Sequence, residues 1–513
     1  MRTKSAFKNV LASIAVQTVI AVCGFLLPRL LIETYGSAIN GLVSTVKQML
    51  TYFSVVSLGL GSASAVALYK PLAARDTAQI NGVLSATRVF YNQTGYAFAG
   101  LVAVAAVLLP LRANESASPL TIASIVLICG AGAFCEHIVL GKYKVLLVAD
   151  QKNYVMSGII AQGVLAYTAL SVYLIAQGAS IILIQTVSTL AYLLRLLLLV
   201  RYIKRHYPAV DYCVEPDLPA IADRWEAFAY QLPGLMINYT PTVIIALFLG
   251  FQEASIYSVY SMIYVSLSMI VAVFSAGFSA SFGNVLAQDE RATLRKSFRT
   301  YEFIYRNVSF CCYACALILI LPFVSVYVKN SAGVHYVLAP VGLLFSLTGL
   351  FSSLRMPAAT LVEAAGRFKE NKRANLAEAL ANVTLALTLV LPFGMAGILA
   401  AAAVTSLVRS LLFIRYAYRE ILAAEWWATL AKTGANLILM LVLLYFLFDT
   451  ACASFAAWLL RALRVFATCF GAFALLNVLL DYSSAQDVGV RLKMLVRKDG
   501  ATGGQVRGRD NDG

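Results

Sequence analysis

The chain has 513 residues, 60% of them hydrophobic and 13% charged, with a mean hydropathy of +0.78. A soluble globular domain carries about 25% charged residues, so a water-soluble protein is excluded. At ~20 residues per bilayer-crossing helix, the apolar supply suffices for roughly fifteen spans and leaves little for an extramembrane domain. The net charge of +15 is scattered over short segments between apolar runs. That pattern reports membrane topology and contact with anionic lipid rather than a nucleic-acid partner.

In chain order, long apolar runs predict fourteen transmembrane helices at about 9–31, 41–68, 89–111, 119–139, 154–176, 180–200, 227–250, 255–284, 303–328, 336–358, 376–393, 396–414, 433–449 and 465–481. The runs are too long for transmembrane β-strands, so the expected class is all-α integral membrane. With Met1 in the cytoplasm, the 40 Lys and Arg residues concentrate in predicted cytoplasmic segments, which satisfies the positive-inside rule and makes both termini cytoplasmic. The start, with Arg2, Lys4 and Lys8 before an apolar run, has no small-residue cleavage site and reads as a retained first helix. The nine cysteines lie mostly within spans, Cys311, Cys312 and Cys315 on one of them. None pairs with His137, His206 or His335 at a metal-ligand spacing, so neither a metal nor a cofactor is expected.

Two segments 214 residues apart align: YLLRLLLLVRYIKR from Tyr192 and SLVRSLLFIRYAYR from Ser406, with Arg195 matching Arg409, Arg201 matching Arg415, Tyr202 matching Tyr416 and Arg205 matching Arg419. A weaker echo sets Ser57, Leu58 and Gly59 against Ser275, Ala276 and Gly277. Six helices separate each pair, an even number, so the expected halves share one orientation and are related by a pseudo-twofold along the membrane normal. The expected organisation is a six-helix bundle at 1–202, a Pro- and acid-rich cytoplasmic linker at 203–224, and a second six-helix bundle at 225–420. Two additional helices at 421–481 and a basic, disordered cytoplasmic tail at 482–513 complete it.

Six basic residues fall within the predicted spans, Arg29, Lys47, Arg195, Arg306, Arg355 and Arg409, against two acids short of the spans' last residues, Glu136 and Glu378. Each intramembrane charge costs on the order of 2.5 to 3.5 kcal/mol on insertion scales, and two carboxylates cannot neutralise six cations. A water-filled cavity for an anion accounts for the excess. Arg306 and Arg355, near cytoplasmic ends, can snorkel, and the matched pair Arg195 and Arg409 can be architectural. Lys47 and Arg29, on consecutive antiparallel helices, are placed to share one anion, Lys47 being the deeper. Arg195, Arg409 and Arg355 complete the candidate substrate-binding set, and Pro28, Gly59 and Pro241 are candidate gating or structural positions. Phosphate loop, nucleophile elbow, dinucleotide fingerprint and a long acid-rich external loop are all missing, so no catalytic residue is assigned.

Three stretches resemble the polysaccharide transporter family, the lipid-linked oligosaccharide flippases of the multidrug/oligosaccharidyl-lipid/polysaccharide exporter superfamily. They are Pro28 to Asp76 (PRLLIETYGSAINGL through LYKPLAARD), VLLVADQKNYV from Val145, and a series in the second half: IYSVYSMIY from Ile256, FGN from Phe282 and EAAGRFKENKRANLAEALAN from Glu363. The resemblance covers about residues 10 to 420. It implies a V-shaped transporter of twelve to fourteen helices that carries an undecaprenyl-pyrophosphate-linked oligosaccharide repeat unit across the bacterial plasma membrane by alternating access, for capsule, O-antigen or exopolysaccharide synthesis. The partners implied are that lipid-linked substrate, membrane lipids, and a polysaccharide polymerase with its chain-length machinery. The pyrophosphate-binding role falls on Arg29 and Lys47. One departure is Thr240-Pro241, where similar proteins often have Thr-Asp; a cation-coupling role there is in doubt, while Pro241 retains the capacity to kink its helix. An ion-coupled multidrug exporter is the alternative, disfavoured by the scarcity of intramembrane acids, and a membrane polysaccharide polymerase or glycosyltransferase is a third.

Overall fold

The computed structural model describes residues 2–112, 118–287, 290–329, 334–450 and 452–490, and among them there are helices and turns but no strand. Helix α1 (Arg2–Tyr35) passes unbroken through Pro28 and runs about a turn beyond its predicted end, which places Glu33 on the helix. Helices α2 (Ser37–Phe53) and α3 (Leu60–Ala74) form the single predicted span 41–68, bent by 47°. The bend sits at a 3-10 turn, Ser54–Ser57, followed by Gly59 at φ 85°. A Cβ on Gly59 would lie 2.3 Å from the Phe228 nitrogen and 2.5 Å from the Arg224 carbonyl oxygen. Left-handed backbone and close approach of a second chain segment both demand glycine there.

Next come α4 (Thr77–Leu108), α5 (Pro119–Ala149), α6 (Asn153–Ala176) and α7 (Ile181–His206). Asp76, Ser118 and Ser180 cap α4, α5 and α7 by accepting from the backbone N–H groups of Gln79, Thr121 and Leu183, each cap stabilising its helix by about 1 kcal/mol. Helix α8 (Arg224–Phe248) continues through Pro233 and Pro241, and α9 (Phe251–Ala287), α10 (Arg291–Tyr327), α11 (Ala339–Leu354) and α12 (Met356–Ala364) follow. Helix α13 (Phe368–Tyr416) spans two predicted helices. Within it Gly394 adopts φ 58° and ψ −140°, and a Cβ on Gly397 would lie 2.2 Å from the Leu389 carbonyl oxygen. A straight helix would hold those positions about 12 Å apart, so the chain reverses at Gly394. Helices α14 (Trp427–Leu447) and α15 (Phe455–Leu480) close the series. Among the described residues twelve helices, or thirteen with the bent α2–α3 pair as one span, are long and apolar enough to cross a membrane; counting α13 as its two arms accounts for the fourteen predicted spans. This is a multi-pass all-α membrane protein. Residues 482–490 are helical, and the remainder of the tail, expected to be disordered, lies outside the described residues.

Contacts divide the chain into two compact units, one of Met1–Met262, Val328–Tyr336 and Lys372–Ala402, the other of Ile263–Tyr327, Val337–Asn371 and Ala403–Gly513. In the first, the core lies among α3, α4, α5 and α7, with Leu68, Leu84, Leu146 and Leu199 fully buried. The start of α9 joins this unit because Asn40 of α2 donates to Ser255 at 2.7 Å and Ser255 meets the Tyr336 hydroxyl at 2.8 Å. The linker expected at 203–224 is a strap laid on α4. Asn81 donates to the Ala209 carbonyl at 3.2 Å, Ser85 to the Val214 carbonyl at 2.6 Å, and the Asp217 N–H to the Gly82 carbonyl at 3.1 Å. At one end of the strap Tyr207 donates to Asp150 at 2.5 Å, beside Lys152. Burial and that hydrogen bond to a carboxylate push the Tyr207 phenol well above its ordinary pKa.

In the second unit a polar network fastens α14 and α15 to α10. Arg306 Nε donates to Asn477 at 3.1 Å, and Asn477 is tied to Asn436 at 2.9 Å and to Asn307 at 3.2 Å. Lys432 is ion-paired with Asp481, and Glu302 accepts from Tyr418 at 2.8 Å and Thr429 at 3.1 Å. Burial disfavours the charged form of Asp481, yet the Lys432 ammonium and the Ser484 hydroxyl and N–H outweigh it and hold the carboxyl below its usual range.

Candidate functional site, an intramembrane cavity in the first unit

A cavity of about 740 Å³ lies among α1, α2, α4, α5, α6 and α7. Helix α5 supplies its spine: Cys129, Gly132, Ala133, Glu136, His137, Leu140, Gly141 and Lys144 all line it. That recurrence at three and four residues is one face of a helix. Tyr91 and Phe98 of α4, Tyr167 of α6, and Gln185 and Tyr192 of α7 add aromatic and hydrogen-bonding surface, and Pro28 and Lys47 complete the wall from α1 and α2.

Lys47 is exposed to the cavity. Its ammonium donates to the Tyr167 hydroxyl at 3.0 Å and lies 4.8 Å from that ring's centroid. Tyr167 and Cys129 both donate to the side-chain oxygen Oε1 of Gln185, at 3.5 and 3.7 Å, which sets Lys47 level with Cys129 on α5. Among the described residues no carboxylate pairs with Lys47. A phenol and a ring face offset part of the cost of holding an ammonium in the membrane and leave its charge uncompensated.

Two turns along α5 the cavity's acid is already engaged. Glu136 meets Arg195 of α7 at 2.6 Å, the arginine side chain being 2% exposed and the glutamate 32%. The Arg195 guanidinium stacks 3.5 Å above the Tyr192 ring, and its stem lies in a notch on α6, since a Cβ on Gly163 would come within 2.8 Å of Arg195 Cδ. Taking two charges out of water consumes most of what such a pair gains, so its main effect here is electrostatic. Glu136 contributes little net negative charge to the cavity, and Lys47 and the exposed Lys144 leave the lining positive. His137, beside Glu136, shares a 3.0 Å hydrogen bond with Thr94 and stacks on Phe98 at 5.5 Å. Among the described residues no cluster of histidine, cysteine and carboxylate side chains is arranged to hold a metal ion.

The expected residues are not all brought together. Pro28 and Lys47 line the cavity and Arg195 stands directly behind Glu136, but Arg29 is absent from the lining and is paired with Glu33 at 3.0 Å. The anticipated sharing of one anion by Arg29 and Lys47 therefore has no counterpart in this geometry. Arg355, between α11 and α12, and Arg409, in the second arm of α13, belong to the other unit, where Arg409 packs 3.9 Å over Phe413. Gly59 and Pro241 also lie outside the cavity wall. The excess of intramembrane cations is smaller than the sequence suggests, because carboxylates at the span ends are partners: Glu33, just past the first span, pairs with Arg29, and Asp481, the last residue of the fourteenth, lies 3.9 Å from Arg306. Sequence reasoning missed Lys144, Tyr167, Gln185 and Tyr192. Ending the fourth span at 139 left Lys144 in a loop, although the stripe from Cys129 through Glu136 to Lys144 was visible at helical spacing.

No protein-family model matches the sequence, and no curated protein matches it. Among solved structures, the chain is similar to the lipid II flippase MurJ in an inward closed conformation, at 13% identity and a TM-score of 0.65 over 91% of this chain and 99% of that one. It is also similar to an inward-facing multidrug resistance MATE family transporter of the MOP superfamily, at 12% identity and a TM-score of 0.63 over 80% and 98%. A MOP superfamily transporter from Pyrococcus furiosus Vc1 (DSM3638) matches at 11% identity and 0.56 over 82% and 95%. At such identities the likeness is one of architecture, and this chain has the transporter fold found in the MurJ lipid flippase and the MATE exporters.

Proposed function

We propose that the protein is a flippase that carries an undecaprenyl-pyrophosphate-linked oligosaccharide across the bacterial plasma membrane by alternating access, with both termini cytoplasmic, in the synthesis of a surface polysaccharide. The observation that carries this reading is the sign of the cavity: among the described residues Lys47 faces it without a carboxylate partner, and the one acid in the lining, Glu136, is neutralised by Arg195. Unaided, a pyrophosphate sugar would drag its charges and hydroxyls through hydrocarbon at prohibitive cost. A cationic, hydrated cavity replaces that hydration with charge-assisted hydrogen bonds, while Tyr91, Tyr167 and Tyr192 offer flat apolar faces with polar tips to sugar rings. Likeness to a lipid II flippase along nearly its whole length supports the same class of cargo. A polymerase and chain-length machinery would consume the product on the far side.

Multidrug export is the second reading, favoured by the MATE neighbours and by the partial exposure of Glu136. A cationic drug would have to compete with Arg195 for that carboxylate and tolerate Lys47. The two readings part in proteoliposomes loaded with fluorescent lipid-linked oligosaccharide: translocation that falls at least tenfold in Lys47→Ala supports the flippase. Rates unchanged by the substitution, with efflux of a cationic dye, support the exporter.

A further inference from the structure

Resting on that reading of the cavity, we propose that Lys144 forms a second anion station, separate from Lys47, so that the cavity holds the acidic part of its cargo at two successive positions. Both lysines line the same cavity and both are exposed to it. Lys144 has no ion-pair partner among the described residues, and it lies on the stripe of α5 that also carries Cys129 and Glu136. The separation follows from helix geometry. Lys47 stands level with Cys129, because Tyr167, which accepts from Lys47, and Cys129 share the Gln185 side-chain oxygen as acceptor, and fifteen residues of helix from Cys129 to Lys144 rise about 22 Å, roughly four turns. A diphosphate cannot span that distance, so one anion does not satisfy both ammonium groups.

Between the stations the wall changes character. It presents the neutralised Glu136–Arg195 pair and the rings of Tyr91, Phe98 and His137. A diphosphate held at one lysine thus has its next favourable position at the other, with a stretch between them that attracts it weakly. Two moderate sites suit transport better than one strong site, because a ligand bound tightly in a single state resists release. Lys144 is also close to the end of α5 at Ala149, where it meets cargo that has not reached Lys47.

The test is calorimetric titration of inorganic pyrophosphate into the purified full-length protein in neutral-lipid nanodiscs, at low ionic strength. The wild type is expected to take two pyrophosphates per chain. Lys144→Gln and Lys47→Gln are each expected to take one, the double variant none, and Lys144→Arg is expected to restore the second. A single pyrophosphate lost in Lys47→Gln and unaffected by Lys144→Gln overturns the second station while leaving the cationic-cavity reading intact. Absence of binding, or binding indifferent to both substitutions, overturns that reading and the station with it. Each variant is first matched to the wild type in thermal midpoint; if Lys144→Gln fails this, Lys144→Met supplies the same neutralisation on an unbranched chain.

Discussion

Glu136→Gln should tighten the binding of an anion while weakening the fold. In the wild type the glutamate lies 2.6 Å from Arg195, which is almost fully buried. Removing one partner of a buried ion pair typically costs about 3 to 5 kcal/mol. Glu136 is a third exposed, glutamine retains an acceptor, and Tyr192 still stacks on the guanidinium, so a loss of roughly 1 to 2 kcal/mol is expected. The gain follows from Coulomb's law. Lys47 stands level with Cys129, seven residues along α5 from Glu136, about 10 Å. At an effective dielectric constant of 20, removing a negative charge at that distance is worth about 1.7 kcal/mol per unit of ligand charge. Affinity for inorganic pyrophosphate should therefore rise at least about tenfold. Isothermal titration at low salt reads the affinity and a thermal shift reads the stability. Unchanged or weaker pyrophosphate binding in Glu136→Gln would refute the electrostatic account of the cavity.

Gly163→Ala should push Arg195 out of its notch, since the new methyl would lie 2.8 Å from Arg195 Cδ. Overpacking of this kind costs about 1 to 3 kcal/mol, and an unaltered thermal midpoint would show that α6 and α7 do not interlock there. Asn477→Leu removes the link that joins Arg306, Asn307 and Asn436 and leaves buried donors unpaired. The expected loss is roughly 3 kcal/mol, read as earlier proteolysis of the α14–α15 pair, and wild-type resistance would contradict it. Asp481 ionises more readily in the folded protein than in an unfolded chain, so its contribution to stability is complete above the ordinary carboxylate pKa. That contribution disappears as pH falls through the lowered folded value. Thermal midpoints measured from pH 6 downward should fall less steeply in Asp481→Asn than in the wild type; parallel curves would remove Asp481 from the acid response.

The transmembrane plan was legible because apolar runs of span length are a strong physical signal, and the fourteen assigned runs reappear as helices. The bend at Gly59 and the reversal at Gly394 are local backbone events. Their energetic reason lies in close approaches, to α8 in one case and to the preceding arm in the other, that one-dimensional reading does not contain. The site was legible in part. Lys47 stood out by depth, and the cavity does expose it. Arg29 looked equivalent because α1 was ended too early, which hid the Glu33 partner one turn away. Tyr167, Gln185 and Tyr192 are ordinary membrane-helix residues, and only the packing of α6 and α7 against α5 turns them toward Lys47 and Arg195. The linker carries turn-forming residues that suggest a tether, but its backbone is held by Asn81, Ser85 and Gly82, all on a helix more than a hundred residues earlier.

The central claim is that a net-positive cavity accepts a diphosphate glycolipid. Native mass spectrometry of the protein extracted in mild detergent from a polysaccharide-producing bacterium tests it most directly. A bound isoprenoid diphosphate carrying sugars, present in the wild type and absent in Lys47→Glu, is the predicted result. A wild type that carries no such lipid, or a Lys47→Glu protein that retains it undiminished, would contradict the claim.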